Sequence, residues 1–244
     1  MIYGYARVST KGQAKDGNSL EAQEKALKEA GKLVVLVNFS GSAVGLVPES
    51  DNCDAILQAW YPGQAGGTAI ADVLTGRYNP AGRLPVTFYK NVSQLPDFQD
   101  YSMKGRTYRY FQDTPLYPFG HGLSYTTFRY GKAKADAKKL PAGHTLTLSI
   151  PLKNSGKMDG EEVVQVYIRR LADTDGPIKS LRAFRRVALR AGEKQNVQIE
   201  LPAEAFETFD TGTNTMRVLP GEYDIMYGGT SDSKALRHLS VTLE

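Results

Sequence analysis

The stretch Thr145–Leu152, TLTLSIPL, decides how the second half of this chain folds. Leu146, Leu148, Ile150 and Leu152 recur at every second residue, and alternate side chains of a strand point to one face. Val163–Ile168, Val197–Leu201, Tyr223–Tyr227 and Leu239–Leu243 repeat the habit, with Gly, Asn or Asp turns between them. The spacing predicts about seven short strands from Thr126 onward, which is the pattern of a two-sheet sandwich. A boundary near Tyr125 follows.

Upstream the texture changes. From Arg77 to Tyr125, Pro80, Pro85, Pro96, Pro115 and Pro118 interrupt every long helix, while Tyr101, Tyr108, Tyr110, Phe111, Tyr117, Phe119 and Tyr125 crowd the segment. So much aromatic area predicts an irregular but ordered segment packed on a scaffold. Further back, Thr68–Leu74 places Ala69, Ile70, Val73 and Leu74 on one helical face, with Gly76 as its stop. Ala55–Tyr61 is a short apolar run stopped by Pro62 and Gly63, and the apolar run Leu33–Phe39 suits a strand buried on both faces of a parallel sheet. Before it, Asn18 has an N-cap profile with Glu21 as its capping-box partner. Leu20, Gln23, Leu27 and Ala30 fall at helical spacing, and Gly31 lies just past the end. Ile2–Val8 is a further strand candidate, so residues 2–39 read as strand, helix, strand.

The fold class expected is therefore α/β plus all-β. The 244 residues can bury a core, and 41% hydrophobic content argues against disorder. No apolar run approaches the length of a membrane span. The start, MIYGYARVST, lacks the apolar segment of a secretory signal, which gives the expectation of a cytoplasmic chain. Cys53 stands alone, so no intramolecular disulfide forms, and no His/Cys spacing supports a metal site; no cofactor is expected. A net charge of +4 is a mild excess.

The stretch AILQAWYPGQAGGTAIADVLTGRYNPAGRLPVTFYK (Ala55–Lys90) resembles the closing part of the α/β sandwich domain of glycoside hydrolase family 3. The resemblance runs on through LPDFQDYSMKGRTYRYF (Leu95–Phe111) and PLYPFGHGLSYTTFRY (Pro115–Tyr130), and into a fibronectin type III-like domain. It implies the β-glucosidases and β-xylosidases, with β-linked glycosides as the substrate class. Ala65 stands where that family usually has Glu. The resemblance places the Asp nucleophile on an N-terminal barrel and the acid/base Glu in the earlier half of the sandwich domain, and neither is found upstream of Lys32. The expectation is a fragment that is catalytically incomplete on its own, or a non-catalytic module binding a carbohydrate or another subunit.

Residues 1–31 resemble something else. MIYGYARVST followed by DGNSLEAQEKALKEAG is similar to the opening strand and helix of a serine recombinase of the resolvase/invertase type. By that match Ser9 would be the nucleophile and Arg7 its phosphate-stabilising neighbour. Most of a recombinase catalytic domain is missing, so both residues are expected to be vestigial in a fusion. The expected segments are 1–31 recombinase-like, 32–90 the end of the α/β sandwich domain, 91–125 the aromatic connection and 126–244 the fibronectin-like domain. A truncated sheet with an open edge makes self-association an expectation.

The other candidates are weaker. Lys179, Arg182, Arg185, Arg186 and Arg190 form a basic cluster, read as a solvent-facing strand pattern rather than a nucleic-acid footprint. Glu161 and Glu162 are neighbours on a strand, so their side chains should part. His121 is expected to pack; His144 and His238 carry no signal. Trp60 and the tyrosines of 101–125 are read as core or inter-domain packing before a sugar-stacking surface.

Overall fold

The computed structural model describes residues 20–244. Ile2–Val8, Arg7, Ser9 and the Asn18 cap lie outside the described residues. The chain divides into two compact units, one ending at Ile70 and the other spanning Ala71–Glu244.

In the first unit, helix α1 (Leu20–Glu29) stops at Gly31. Gly31 has φ 67°, its N–H donates to Lys28 O, and Lys32 N–H reaches back to Leu27 O. This paired closure needs a left-handed residue, which glycine supplies without a Cβ penalty. Strand β1 (Val35–Asn38) pairs in parallel with β2 (Ala55–Gln58), and the short helix α2 (Val47–Asn52) lies between them in sequence. Asp54 fixes the start of the pair, accepting from Val34 N–H at 2.8 Å while its own N–H donates to Val34 O. The expectation of a strand buried on both faces is not met: Leu33, Val35 and Phe39 are exposed. The faces of a parallel sheet are covered by helices rather than by further strands, and that cover is incomplete over these residues among the described ones. Helix α3 (Gly66–Leu74) crosses from one unit into the next.

In the second unit, residues 126–244 form the sandwich. Strands β3 (Phe128–Tyr130), β4 (Lys134–Ala135), β6 (Leu146–Asn154) and β9 (Lys194–Leu201) make one sheet, with β6 pairing all three others. The facing sheet runs β5 (Lys139–Leu140), β13 (Arg237–Leu243), β12 (Gly221–Gly228), β7 (Gly160–Arg170), β8 (Ser180–Leu189). A hairpin of β10 (Glu207–Asp210) and β11 (Thr215–Val218) stands apart. Leu146, Leu148, Ile150 and Leu152 are wholly buried and meet Val164, Val166, Ile225 and Val241 in one core. The period-two reading thus marks the core-facing positions.

The other side of β7 is covered too. Tyr167, on the face opposite Val166, packs with Met226, Leu236, Tyr108 and Phe119, the last two rings stacked at 4.3 Å. The aromatic segment reaches this position by closing on itself, with Leu84–Phe88 hydrogen-bonded to Leu116–His121. Gly120 (φ 77°) is required there, because a Cβ would collide with the Gln165 carboxamide that donates to Gly120 O and Gly229 O. The short helix α4 (Thr107–Tyr110) carries Tyr108 into the contact. The segment is ordered and packed, as its composition requires, yet Phe98 and Tyr101 project into solvent at 92% and 91% exposure.

Candidate functional site

In open α/β sheets, ligands approach the carboxyl ends of parallel strands. Here those ends carry Asn38 and Gln58, which are register partners. Asn38 Nδ2 donates to Gln58 Oε1 at 2.6 Å and to Ser40 Oγ at 3.1 Å. Gln58 Nε2 donates to the same Ser40 Oγ at 3.1 Å, and Ser40 Oγ donates to Ser42 O. Two amides and a hydroxyl are thereby locked into one neutral platform, and Asn38 Oδ1 makes no hydrogen bond among the described residues.

Two residues beyond β2, Trp60 has φ 54°, a left-handed conformation that costs a bulky residue about 1–3 kcal/mol. The turn delivers Tyr61 to the surface, 79% exposed, with its ring so close over Gly41 that a Cβ there would clash. An indole, a phenol and fixed amide groups are what a polyhydroxylated ring requires: an apolar face to stack on and directional partners for its hydroxyls. Trp60 was read as packing before a stacking surface. The amide platform was not legible, since nothing in single positions such as Asn38 signals a partner at Gln58.

The remaining candidates part in the second unit. Glu161 accepts from Tyr78 Oη at 3.2 Å and pairs with Arg186, whose hydrogen bond holds the carboxyl below its ordinary range. Glu162 instead pairs with Arg83 at 3.1 Å, and burial pushes its carboxyl up despite the guanidinium. The two neighbours take separate partners, as strand geometry requires. Neither is open for proton transfer to a substrate.

The basic cluster is spent on structure. Lys179 is buried, with Nζ donating to Ser231 O at 2.7 Å and Ser233 Oγ at 2.6 Å. Arg182 donates to Glu207 O and Arg185 to Gln198 O. With Arg186 tied to Glu161, four of the five members of the cluster hold local partners. Placing Lys179 on a solvent face was wrong, whereas Phe184, on the edge strand β8, is 68% exposed. His121 stacks on Tyr117 at 5.3 Å, and burial lowers its pKa, which is packing. His238 Nδ1 lies 2.8 Å from Asp224 Oδ2, a pairing that spacing did not signal. Ser9 and Arg7 lie outside the described residues. Among the described residues no His, Cys, Asp and Glu group forms a metal centre, and no helix is long and apolar enough to cross a membrane.

Comparison with known proteins agrees with this architecture. Residues 9–125 match the glycosyl hydrolase family 3 C-terminal domain, and residues 162–231 match a fibronectin type III-like domain. A xylan 1,4-β-xylosidase from Xylanibacter ruminicola is 57% identical over 219 residues, covering 90% of this chain and 25% of the relative. A periplasmic β-glucosidase from Salmonella typhimurium is 37% identical, with 83% and 28% covered. Among solved structures, a β-glucosidase from Erythrobacter marinus superposes with TM-score 0.80 at 42% identity, covering 92% of this chain and 30% of that one. The chain spans about a quarter to a third of the length of these relatives. With both matches in sequence order on an α/β unit and a β-sandwich, the chain carries a glycosyl hydrolase family 3 C-terminal domain followed by a fibronectin type III-like domain.

Proposed function

We propose that this chain serves a glycosidase that hydrolyses β-linked glycosides of the xyloside or glucoside type, supplying sugar contacts and support rather than the catalytic carboxyl pair. The observation that carries the reading is the platform of Asn38, Ser40 and Gln58 beside Trp60 and Tyr61, at the strand ends of a family 3 domain. Retaining glycosidases need two carboxyl groups about 5–5.5 Å apart across the scissile bond, one of them free to give a proton. Glu161 and Glu162, the adjacent pair in the sandwich, are each engaged by an arginine. The exposed Leu33, Val35 and Phe39 support a covering partner for the two-stranded sheet, either another part of a longer chain or a second copy.

The experiment is hydrolysis of nitrophenyl β-xyloside and β-glucoside by the purified chain, alone and mixed with a separately expressed family 3 barrel. No release alone and release on mixing is the expected result, with turnover reduced by Tyr61→Ala. Release by the chain alone, above a heat-killed control, would show that a complete catalytic pair forms here. An interaction module that binds glycans without a barrel is the second reading, favoured by the exposed Phe98 and Tyr101. Affinity electrophoresis against soluble xylan separates it from the first.

For residues 1–31 the reading remains a recombinase-type strand and helix joined to the glycosidase part, supported by MIYGYARVST and the helix after it. The family 3 match begins at residue 9 and runs through the same stretch, so helix α1 is common to both descriptions. On this reading Ser9 and Arg7 are chemically idle. A protein–DNA adduct that disappears on Ser9→Ala would overturn it.

A further inference from the structure

Four arginines line a cavity of about 220 Å³ beside the end of the larger sheet, with Arg169 and Arg170 as strand neighbours whose side chains part. Arg109 comes from α4, Arg169 and Arg170 from the last turn of chain in β7, and Arg182 from β8. Among the described residues none of the four forms an ion pair. Yet each has its Nε buried without a hydrogen-bond partner, and these are four of the eight such atoms in the described residues. Those Nε atoms are closed to solvent and so to a ligand, which leaves the guanidinium Nη groups as the donors that a ligand in the cavity would meet.

The groups nearby do not fill that role. Arg182 Nη2 is anchored to Glu207 O and Arg170 Nη2 to Pro220 O, both uncharged acceptors, which fix the guanidinium groups without neutralising them. Asp173, Asp175 and Glu207 also line the cavity. Asp173 is occupied by Gly176 N–H at 2.8 Å and Thr208 Oγ1 at 3.1 Å. Burial, and then the charge of Arg109, hold Arg182 below its ordinary pKa against the opposing charge of Glu207, so the two cations are close enough to repel. A guanidinium also grips a carboxylate or a tetrahedral oxyanion through its Nη groups, and fixed arginines lose little freedom in doing so.

We propose that this cavity binds an oxyanion, gripped by Arg109 and Arg182, on a ligand no larger than a monosaccharide. Its size sets the limit, since drug-sized ligands take about 300–1,000 Å³. A free inorganic oxyanion and an acidic monosaccharide such as glucuronate share the required chemistry. The proposal shares no residue with the amide platform and stands whatever the fate of the glycosidase reading.

The test is titration calorimetry on the whole chain with inorganic phosphate, sulfate and glucuronate, against glucose as the neutral control, at constant ionic strength. Saturable binding of at least one oxyanion is expected, with glucose inert. Preference for glucuronate assigns an acidic sugar, and preference for phosphate or sulfate assigns a free ion. Arg109→Gln should weaken binding about tenfold or more, with Arg109→Lys recovering part of it. Arg182→Gln is the second variant; circular dichroism checks its fold, and Arg109→Gln decides the matter if that fold is lost. Absence of saturable binding for all three oxyanions at about 10 mM, or unchanged affinity in folded Arg109→Gln, overturns the proposal.

Discussion

Arg83 Nη2 lies 3.1 Å from Glu162 Oε2, and the two side chains keep only 8% and 7% of their surface in solvent. This pair binds the self-closed aromatic segment to strand β7, across 79 positions of sequence. Around it, Asn79 ties the same two regions, donating to Asp159 O and accepting from Ser124 Oγ and Tyr125 N–H. The segment is therefore part of the sandwich unit rather than a tether to it.

Breaking that pair from one side should be costly. Arg83→Ala leaves a buried carboxylate without its countercharge, and loss of one partner of a buried pair costs about 3–5 kcal/mol. Replacing both with apolar residues, Arg83→Met with Glu162→Leu, should cost less than Arg83→Ala alone. Urea unfolding of the variants checks this; a double variant less stable than Arg83→Ala would contradict it.

The same carboxyl gives a pH signature. Burial raises the pKa of Glu162 in the folded state above its ordinary value of 4.5. The folded protein then holds this proton more tightly than the unfolded chain does, so Glu162 contributes stability fully present below pH 4.5 and lost as pH rises through the folded pKa. Glu162→Gln cannot titrate. Its cost relative to the parent should be larger near the bottom of this window than at neutral pH. Denaturant melts at the two pH values decide, and a penalty that grows with pH would refute the assignment.

Position on the sandwich strands sets a sharp contrast. Leu148 is wholly buried on β6, so Leu148→Ala removes core volume and should cost about 2–5 kcal/mol. Phe184 sits exposed on β8, and Phe184→Ala should stay within about 0.5 kcal/mol. Thermal melts of the two variants test the assignment of faces.

Limited proteolysis should cut first between Asn91 and Lys104. That stretch exposes Val92, Phe98 and Tyr101; Gln94 ties it to Asp113 and Thr114, but beyond Gln94 its side-chain ties are local: Arg106 to Asp97 O, Asp100 O and Ser102 O, and Asp97 and Asp100 to N–H groups two residues on. The fragment beginning beyond it retains both sheets and should resist. Mass spectrometry of early fragments is the measurement, and first cuts within β6 or β12 would count against this order of stability.

What the sequence determined by itself is whatever a local period encodes. The alternation at Leu146–Leu152 marks the core face of β6, and Gly31 marks the end of α1, because strand pleat and helix closure are set by residues a few positions apart. Long ordered motifs added the resemblance to glycoside hydrolase family 3. The tertiary structure decided the rest. Glu161 and Glu162 look alike in sequence, yet one is held low by Arg186 at the surface while burial beside Arg83 raises the other. Leu33–Phe39 reads as a strand buried on both faces, but its burial depends on what packs over the sheet, which no single run specifies. The Asn38–Gln58 platform joins residues 20 apart, and the cavity of Arg109 and Arg182 joins a turn to a strand. Electrostatic and hydrogen-bond energies depend on distance and desolvation in space, and only the folded chain sets either one.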